Sequence, residues 1–231
     1  MRAEALDATL GGPGGRLGRL VLASGNAGKL AELAALLGPR GVDCVAQGAL
    51  GVGDADEPHG TFLENALAKA RHASAASGLA ALADDSGLCV DALGGAPGVR
   101  SARFAQDAGA GDAANNALLA ATLASRGAAP GARGWPAFYA CVLVLVRAPD
   151  DPWPIVGDAT WRGEFVVDAA GQGGFGYDAH FWLPETDATV AQLPVERKNA
   201  ASHRARALAA LVRKLESAGM VDAPGSAESG R

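Results

Sequence analysis

The apolar positions of the chain fall into two kinds of run: short, nearly continuous stretches, and longer segments in which apolar residues recur every three or four positions. The first kind predicts strands buried in a sheet, the second amphipathic helices. In order, the pattern predicts a strand over 19–23 (RLVLA), a helix with Leu30, Leu33, Ala34 and Leu37 on one face, stopped by Gly38-Pro39, and a strand over 42–46. Thr61 with Glu64 reads as a capping box opening a helix to about residue 76, with Phe62, Leu63 and Leu67 for the core. An apolar run over 79–83 then delivers Asp84 and Asp85 into Ser86-Gly87, where a strand is expected to end. Asp112 is expected to cap a helix over 113–125 with Leu118, Leu119 and Leu123 inward. Residues 138–147 (FYACVLVLVR) form the strongest strand, apolar enough for burial on both faces. Residues 155–167 read as one or two antiparallel strands with a break or bulge at Trp161-Arg162-Gly163, which makes the sheet mixed. Residues 196–218 read as one helix burying Leu208, Leu211, Val212 and Leu215.

Residues 1–18 and 219–231 lack any such period and are polar or Gly-rich, so a disordered leader and tail are expected around a domain at 19–218. A chain of 231 residues fits one domain or two closely packed lobes. The net charge of −5 argues against a nucleic-acid polymer as partner, because such binders carry a broad basic field. A small phosphate ligand in a local basic pocket remains compatible with it. Cys44, Cys89 and Cys141 are widely spaced in apolar runs, a pattern of neither a disulfide framework nor a zinc site, and they suit a reducing cytoplasm. The N-terminal stretch has no signal-peptide apolar region, and no run is long enough to span a membrane.

Four stretches carry candidate chemistry. Asp84 and Asp85 repel one another, which is tolerated where a cation such as Mg²⁺, or a proton-transfer task, offsets the cost; a solvated loop is the alternative. Asp54, Asp56 and Glu57 lie in a loop that could supply a second metal ligand, and Asn65 and Lys69 share one helix face. Ser24, Gly25, Asn26, Ala27, Gly28 and Lys29 join a strand to a helix start, a ready anion site, although a plain cap by Ser24 or Asn26 explains the same residues. It is not a Walker A loop, since Leu30 follows Lys29. Residues 171–178 match G-x-G-x-x-G formally, but His180-Phe181-Trp182-Leu183-Pro184 stands where a dinucleotide fold needs a helix. The glycines instead permit close approach of a flat ligand, with Phe175 and Tyr177 as aromatic faces and Asp178 as acceptor; the alternative places those aromatics in the core. Lys198, His203 and Arg204 crowd a helix start, where acids are usual, and so point to an anionic or acceptor-rich partner.

The segments SGNAGKLAEL, TFLENALAKARHA, ADDSGLCVDALGGAPGVRSARFA, GGFGYD and ERKNAASHRARAL, in that order, resemble the inosine triphosphate pyrophosphatase (Ham1) family from Arg19 to Leu215. The resemblance implies an α/β fold: an elongated mixed β-sheet flanked by helices, with two lobes around a central nucleotide-binding cleft, and a cytoplasmic homodimer. It implies Mg²⁺-dependent hydrolysis of purine nucleoside triphosphates (ITP, dITP, XTP) to monophosphate and pyrophosphate, which cleanses the nucleotide pool. Carried onto matching positions, Ser24 to Lys29 and Ser86 hold the triphosphate, and Asp85 is proton acceptor and metal ligand. Asp56 falls where the family has an acidic metal ligand, commonly Glu, so either a water intervenes or Glu57 substitutes. Phe175, Gly176, Tyr177, Asp178, Lys198, His203 and Arg204 match base and ribose contacts. The C6 carbonyl of hypoxanthine or xanthine suits donors such as Arg204 and Lys198, whereas adenine presents a donor there. Alternatives are a Maf-type pyrophosphatase of modified pyrimidine or 7-methylguanine nucleotides, which lacks SGNAGK and the SHR cluster, and a nonenzymatic nucleotide sensor, which the acids at 84 and 85 disfavour.

Overall fold

Among the described residues seven strands build one mixed sheet: β1 (Arg19–Ala23), β2 (Asp43–Ala46), β3 (Ala80–Val90), β4 (Trp135–Val146), β5 (Ile155–Phe165), β6 (Phe181–Leu183) and β7 (Ala188–Thr189). Their order is β2-β1-β3-β4-β5-β6-β7. The computed structural model describes residues 15–105, 111–127 and 133–223. β1 pairs in parallel with β2 and β3, while β5 with β6 and β6 with β7 pair antiparallel, so the sheet is mixed as the pattern predicts. Among the described residues five α-helices accompany it: α1 (Ala27–Leu37), α2 (Phe62–Ser77), α3 (Gly111–Ala124), α4 (Val195–Ala201) and α5 (His203–Ser217). The chain forms two compact units, one holding the residues up to Asp85, Val142–Asp158 and those from Ala207 on, the other Ser86–Cys141 and Ala159–Arg206.

In the first unit, Val21, Ala23, Ala81, Ala83, Val144 and Val146 of the strands pack against Ala66, Ala70 and Ala73 of α2. The buried face of α2 is thus a stripe of small residues with Asn65 and Ser74, and Leu63, expected in the core, is 46% exposed. Small side chains on both partners let the helix approach the sheet closely, which a leucine face would prevent. At β5, a Cβ on Gly157 would lie 2.6 Å from the Ala207 carbonyl oxygen, so only glycine admits α5 at this distance. Packing extends beyond 19–218 at both ends. The Leu17 N–H donates to the Met220 carbonyl at 2.8 Å, Arg16 pairs with Asp222, and Met220 and Val221 are buried. The remainder of the expected leader and tail, 1–14 and 224–231, lies outside the described residues.

The second unit has an aromatic core in which Leu88, Leu119, Leu123, Trp135, Trp161, Phe165 and Phe181 meet. On α3 the inward stripe is Asn115, Leu119 and Leu123, while Leu118 is 42% exposed. Asn115 takes the Ala105 N–H at 2.8 Å and donates to the Ala102 carbonyl at 3.1 Å, which satisfies its buried amide.

Three expectations about continuity are corrected. β3 does not stop at Ser86-Gly87 but runs on to Val90. Gly87 marks a close approach, because a Cβ there would sit 2.4 Å from the Gly98 carbonyl and the Ser101 hydroxyl. β5 is a single strand without a break, with Trp161 buried and Gly163 pressed against the Trp182 carbonyl. The last helix is broken at Ser202 (φ −62, ψ 158), whose hydroxyl accepts the Ala205 N–H at 3.2 Å and so caps α5.

Candidate functional site

In the first unit, β1 ends at Ala23 and the chain turns through Ser24, Gly25 and Asn26 into α1, whose first residues are Ala27, Gly28 and Lys29. Asn26 is the N-cap, its side-chain oxygen accepting the Lys29 N–H at 3.1 Å, and the Ser24 hydroxyl accepts the Asn26 N–H at 3.2 Å. Gly25, Asn26 and Gly28 are exposed, so a helix N-terminus with its positive dipole end opens to solvent here. The Lys29 ammonium reaches Asp84 at 2.7 Å, where the carboxylate is 2% exposed. The cation expected for phosphate is therefore shared with one of the two central acids.

Strand geometry resolves the repulsion between those acids. Adjacent residues on β3 point to opposite faces, so Asp84 turns to Lys29 and Asp85 to α2. Asn65, fully buried, donates to the Asp85 carboxylate at 3.2 Å, and the Lys69 ammonium lies 3.7 Å from the other oxygen. Asn65 and Lys69 stand four apart on α2 and thus meet the same carboxylate. Asn65 also accepts the His59 N–H at 3.0 Å and donates to the His59 carbonyl at 3.3 Å, which draws the preceding acidic loop onto the helix. Within that loop Glu57 meets Lys69 at 2.6 Å, whereas Asp56 is exposed and Asp54 accepts from Gln47 at 2.6 Å. Glu57 and Asp85 therefore converge on one cation. Among the described residues no cluster of three or more His, Cys, Asp or Glu forms a metal cage. Two carboxylates drawn to the same side chain, Lys69, are of the number and type that Mg²⁺ usually takes, the rest of its octahedron being water and substrate phosphate. Ser86 follows on β3, half-buried.

In the second unit the organising group is Asp178, 5% exposed at the end of the Gly-rich loop. One oxygen accepts the Phe175 N–H at 3.0 Å and the Lys198 ammonium at 2.5 Å; the other accepts the Tyr139 hydroxyl at 3.3 Å. A Cβ on Gly174 would fall 2.1 Å from the carboxylate, so the glycine is what lets the loop wrap around it. Lys198 also sits 4.4 Å from the Phe175 ring centroid, a cation–π contact. Phe175 is 60% exposed.

Tyr177 corrects the sequence expectation of a second aromatic face. It is buried, and its hydroxyl donates to the Ser101 carbonyl at 2.8 Å, so it anchors the loop to the core. Burial and then the Asp178 charge push the Tyr139 phenol well above its ordinary value, which keeps it a donor. The His203 ring stacks on Tyr139 at 4.8 Å and 10°, and Arg204 is buried beside it in sequence at the start of α5. Gly176 is gripped by α3: Asp112 takes its N–H at 2.5 Å and Asn116 donates to its carbonyl at 2.9 Å. Asp112, expected to cap the helix, lies inside its first turn, and the sequence pattern gives no signal for Asn116 or Tyr139. A strand, β6, follows the loop, in keeping with rejection of the dinucleotide fingerprint. A cavity of about 740 Å³ in the first unit, lined by Arg147, Trp153, Ile155, Arg213, Lys214 and Met220 among others, contains none of these residues.

Known proteins carry the same pattern. The Ham1 family model matches residues 20–214. A dITP/XTP pyrophosphatase of Bordetella pertussis is 58% identical over 210 residues, covering 90% of this chain and 96% of its own. One from Ralstonia nicotianae is 59% identical over 199 residues, covering 85% of this chain and 96% of its own. Among solved structures, a HAM1 protein from Coxiella burnetii matches with TM-score 0.81 and 40% identity, over 86% of this chain and 98% of its own. The Ham1 protein of Staphylococcus aureus matches with TM-score 0.76 and 34% identity over the same shares. Family model, relatives and folds agree over nearly the whole described length, and the chain belongs to the Ham1 family.

Proposed function

We propose that the protein is a Mg²⁺-dependent nucleoside triphosphate pyrophosphatase that hydrolyses ITP, dITP and XTP to the monophosphate and pyrophosphate and so cleanses the nucleotide pool. The relatives named dITP/XTP pyrophosphatases support the reaction class. The observation that carries the reading is Asp85, a buried carboxylate aimed by Asn65 and sharing Lys69 with Glu57. Asp85 and Glu57, rather than the exposed Asp56, are the residues that would hold the metal. When bound, Mg²⁺ would supply charge neutralisation at the phosphates. The exposed N–H groups at the start of α1 and the Lys29 ammonium add to it and fix the triphosphate. Asp85 accepts a proton from water as the water oxygen attacks the α-phosphorus; the bond from that phosphorus to the bridging oxygen breaks, and pyrophosphate leaves with the electron pair.

Phe175 supplies the face on which the purine stacks. Lys198, His203, Arg204 and the loop N–H groups read the base. Donors there match the C6 carbonyl of hypoxanthine or xanthine and meet the amino group of adenine with another donor. A buried site built for one hydrogen-bond pattern discriminates by as much as about 10⁴-fold. The protein acts on small nucleotides in the cytoplasm as a homodimer. Its net charge of −5 argues against a nucleic-acid polymer as substrate, and among the described residues no helix is long and apolar enough to cross a membrane.

Steady-state kinetics on ITP, XTP, dITP, GTP and ATP with Mg²⁺, read as released pyrophosphate, test the proposal. ITP, dITP and XTP should lead ATP by orders of magnitude in kcat/KM. A preference for modified pyrimidine triphosphates would favour a Maf-type activity, and binding without turnover a sensor.

A further inference from the structure

The loop that presents Phe175 is held by a helix to which the reaction assigns nothing. Asp112 and Asn116 stand one turn apart on α3, and together they take both backbone groups of Gly176, the N–H at 2.5 Å and the carbonyl at 2.9 Å. Gly176 lies between the exposed Phe175 ring and the buried Tyr177, with φ at +61°, a left-handed turn that glycine adopts without strain. A second observation singles out Asn116. Its side-chain oxygen is buried and, among the described residues, has no hydrogen-bond partner. Buried polar atoms are nearly always satisfied, so an amide kept here with only its donor side used is held for that donor.

We propose that Asp112 and Asn116 are positioning residues for the base platform: by clamping Gly176 they fix the pitch of the Phe175 ring, and so set how tightly the nucleotide is captured rather than how fast it is cleaved. The proposal rests on the reading of Phe175 as the stacking face. Asp112 is exposed at the start of α3, so replacing it leaves the core untouched.

The full-length protein and the variants Asp112→Ala, Asn116→Ala and Asp112→Asn are compared for KM and kcat on ITP with Mg²⁺, for the Kd of ITP without metal, and for Tm. Each alanine variant should raise KM and Kd roughly tenfold, about what one charge-assisted or buried hydrogen bond contributes, with kcat within about twofold and Tm nearly unchanged. Asp112→Asn retains an acceptor oxygen for the Gly176 N–H and should stay within about twofold of the wild type. Unchanged KM and Kd in both alanine variants, or a fall in kcat that tracks a fall in Tm, overturns the proposal. A wild-type protein that binds ITP without releasing pyrophosphate overturns the reaction and leaves Kd to decide on the clamp. Failure of the wild type to bind ITP overturns both.

Discussion

Asn65 is the residue through which the fold aims its central carboxylate, and Asn65→Ala isolates that role. The side chain is fully buried and makes three bonds, to Asp85 at 3.2 Å and to the His59 N–H and carbonyl at 3.0 and 3.3 Å. Truncation removes the Asn65 donor from the Asp85 carboxylate and leaves the His59 backbone groups without this side-chain partner. The buried Asp85 carboxylate losing a donor costs about 1–3 kcal/mol, while the groups of the exposed His59 turn to water, so a loss of about 2 kcal/mol is expected. For a chain of this size that lowers Tm by roughly 4–8 °C. The catalytic effect is separate. An acid that is no longer oriented within hydrogen-bond reach of its proton loses part of a general-base contribution of about 10²–10⁴. Asn65→Ala should therefore lower kcat on ITP by roughly 10–100-fold at a temperature where the variant is folded, with a smaller change in KM. Pyrophosphate release and a thermal melt read both. A variant with wild-type kcat, whatever its Tm, would show that Asp85 needs no aiming and refute the argument.

Glu57 and Asp56 make a paired test of the metal ligand. Glu57→Gln should raise the Mg²⁺ concentration for half-maximal rate by about tenfold or more, and Asp56→Asn should leave it nearly unchanged; the reverse order in a Mg²⁺ titration would restore Asp56. Asp151 makes a test of pH linkage remote from the chemistry. Burial pushes its carboxyl up, but hydrogen bonds from the Arg147 side chain and N–H and from the Trp153 N–H outweigh this and hold it down, at about 2 against an ordinary 3.8. Because the folded value is depressed, its stabilisation is complete above pH 4–5 and is lost as pH falls toward about 2. Arg147→Met removes the side-chain share of that stabilisation and leaves the Arg147 and Trp153 N–H bonds, so it should cost about 1 kcal/mol at pH 7 and far less at pH 2, measured by urea unfolding. An equal deficit at both pH values would contradict the linkage.

Local signals made much of the fold legible in the sequence. The turn between β1 and α1 is written in Ser24, Asn26 and Lys29, and the apolar run of β4 announces a central strand. What the sequence concealed depends on long-range contacts. Gly87 reads as a turn because a glycine that bends a chain and one that admits a neighbouring carbonyl look the same until the neighbour, here Gly98, is in place. The alanine face of α2 escapes a count of large apolar residues, since its packing partner is itself built of Ala and Val. Ser202 breaks a helix in a run, with Ala200, Ala201 and Arg204 around it, that carries no Gly or Pro as a stop signal. Within the site, the motif residues were visible but their partners were not. Glu57 is distinguished from Asp56 only by the bonds of Asn65 to His59, which fix how the loop meets α2. Tyr177 is told from Phe175 only by the Ser101 carbonyl that receives its hydroxyl.

The central claim is that Asp85 takes the proton from the attacking water, and Asp85→Asn tests it most directly. The amide keeps the shape and an acceptor for Asn65, and Lys69 keeps Glu57 at 2.6 Å, so fold and nucleotide affinity should survive. Single-turnover pyrophosphate release from ITP, measured beside the Kd for ITP, should show a rate lowered by at least about 10³-fold with Kd within about threefold of the wild type. Turnover within tenfold of the wild type at unchanged affinity would contradict the account.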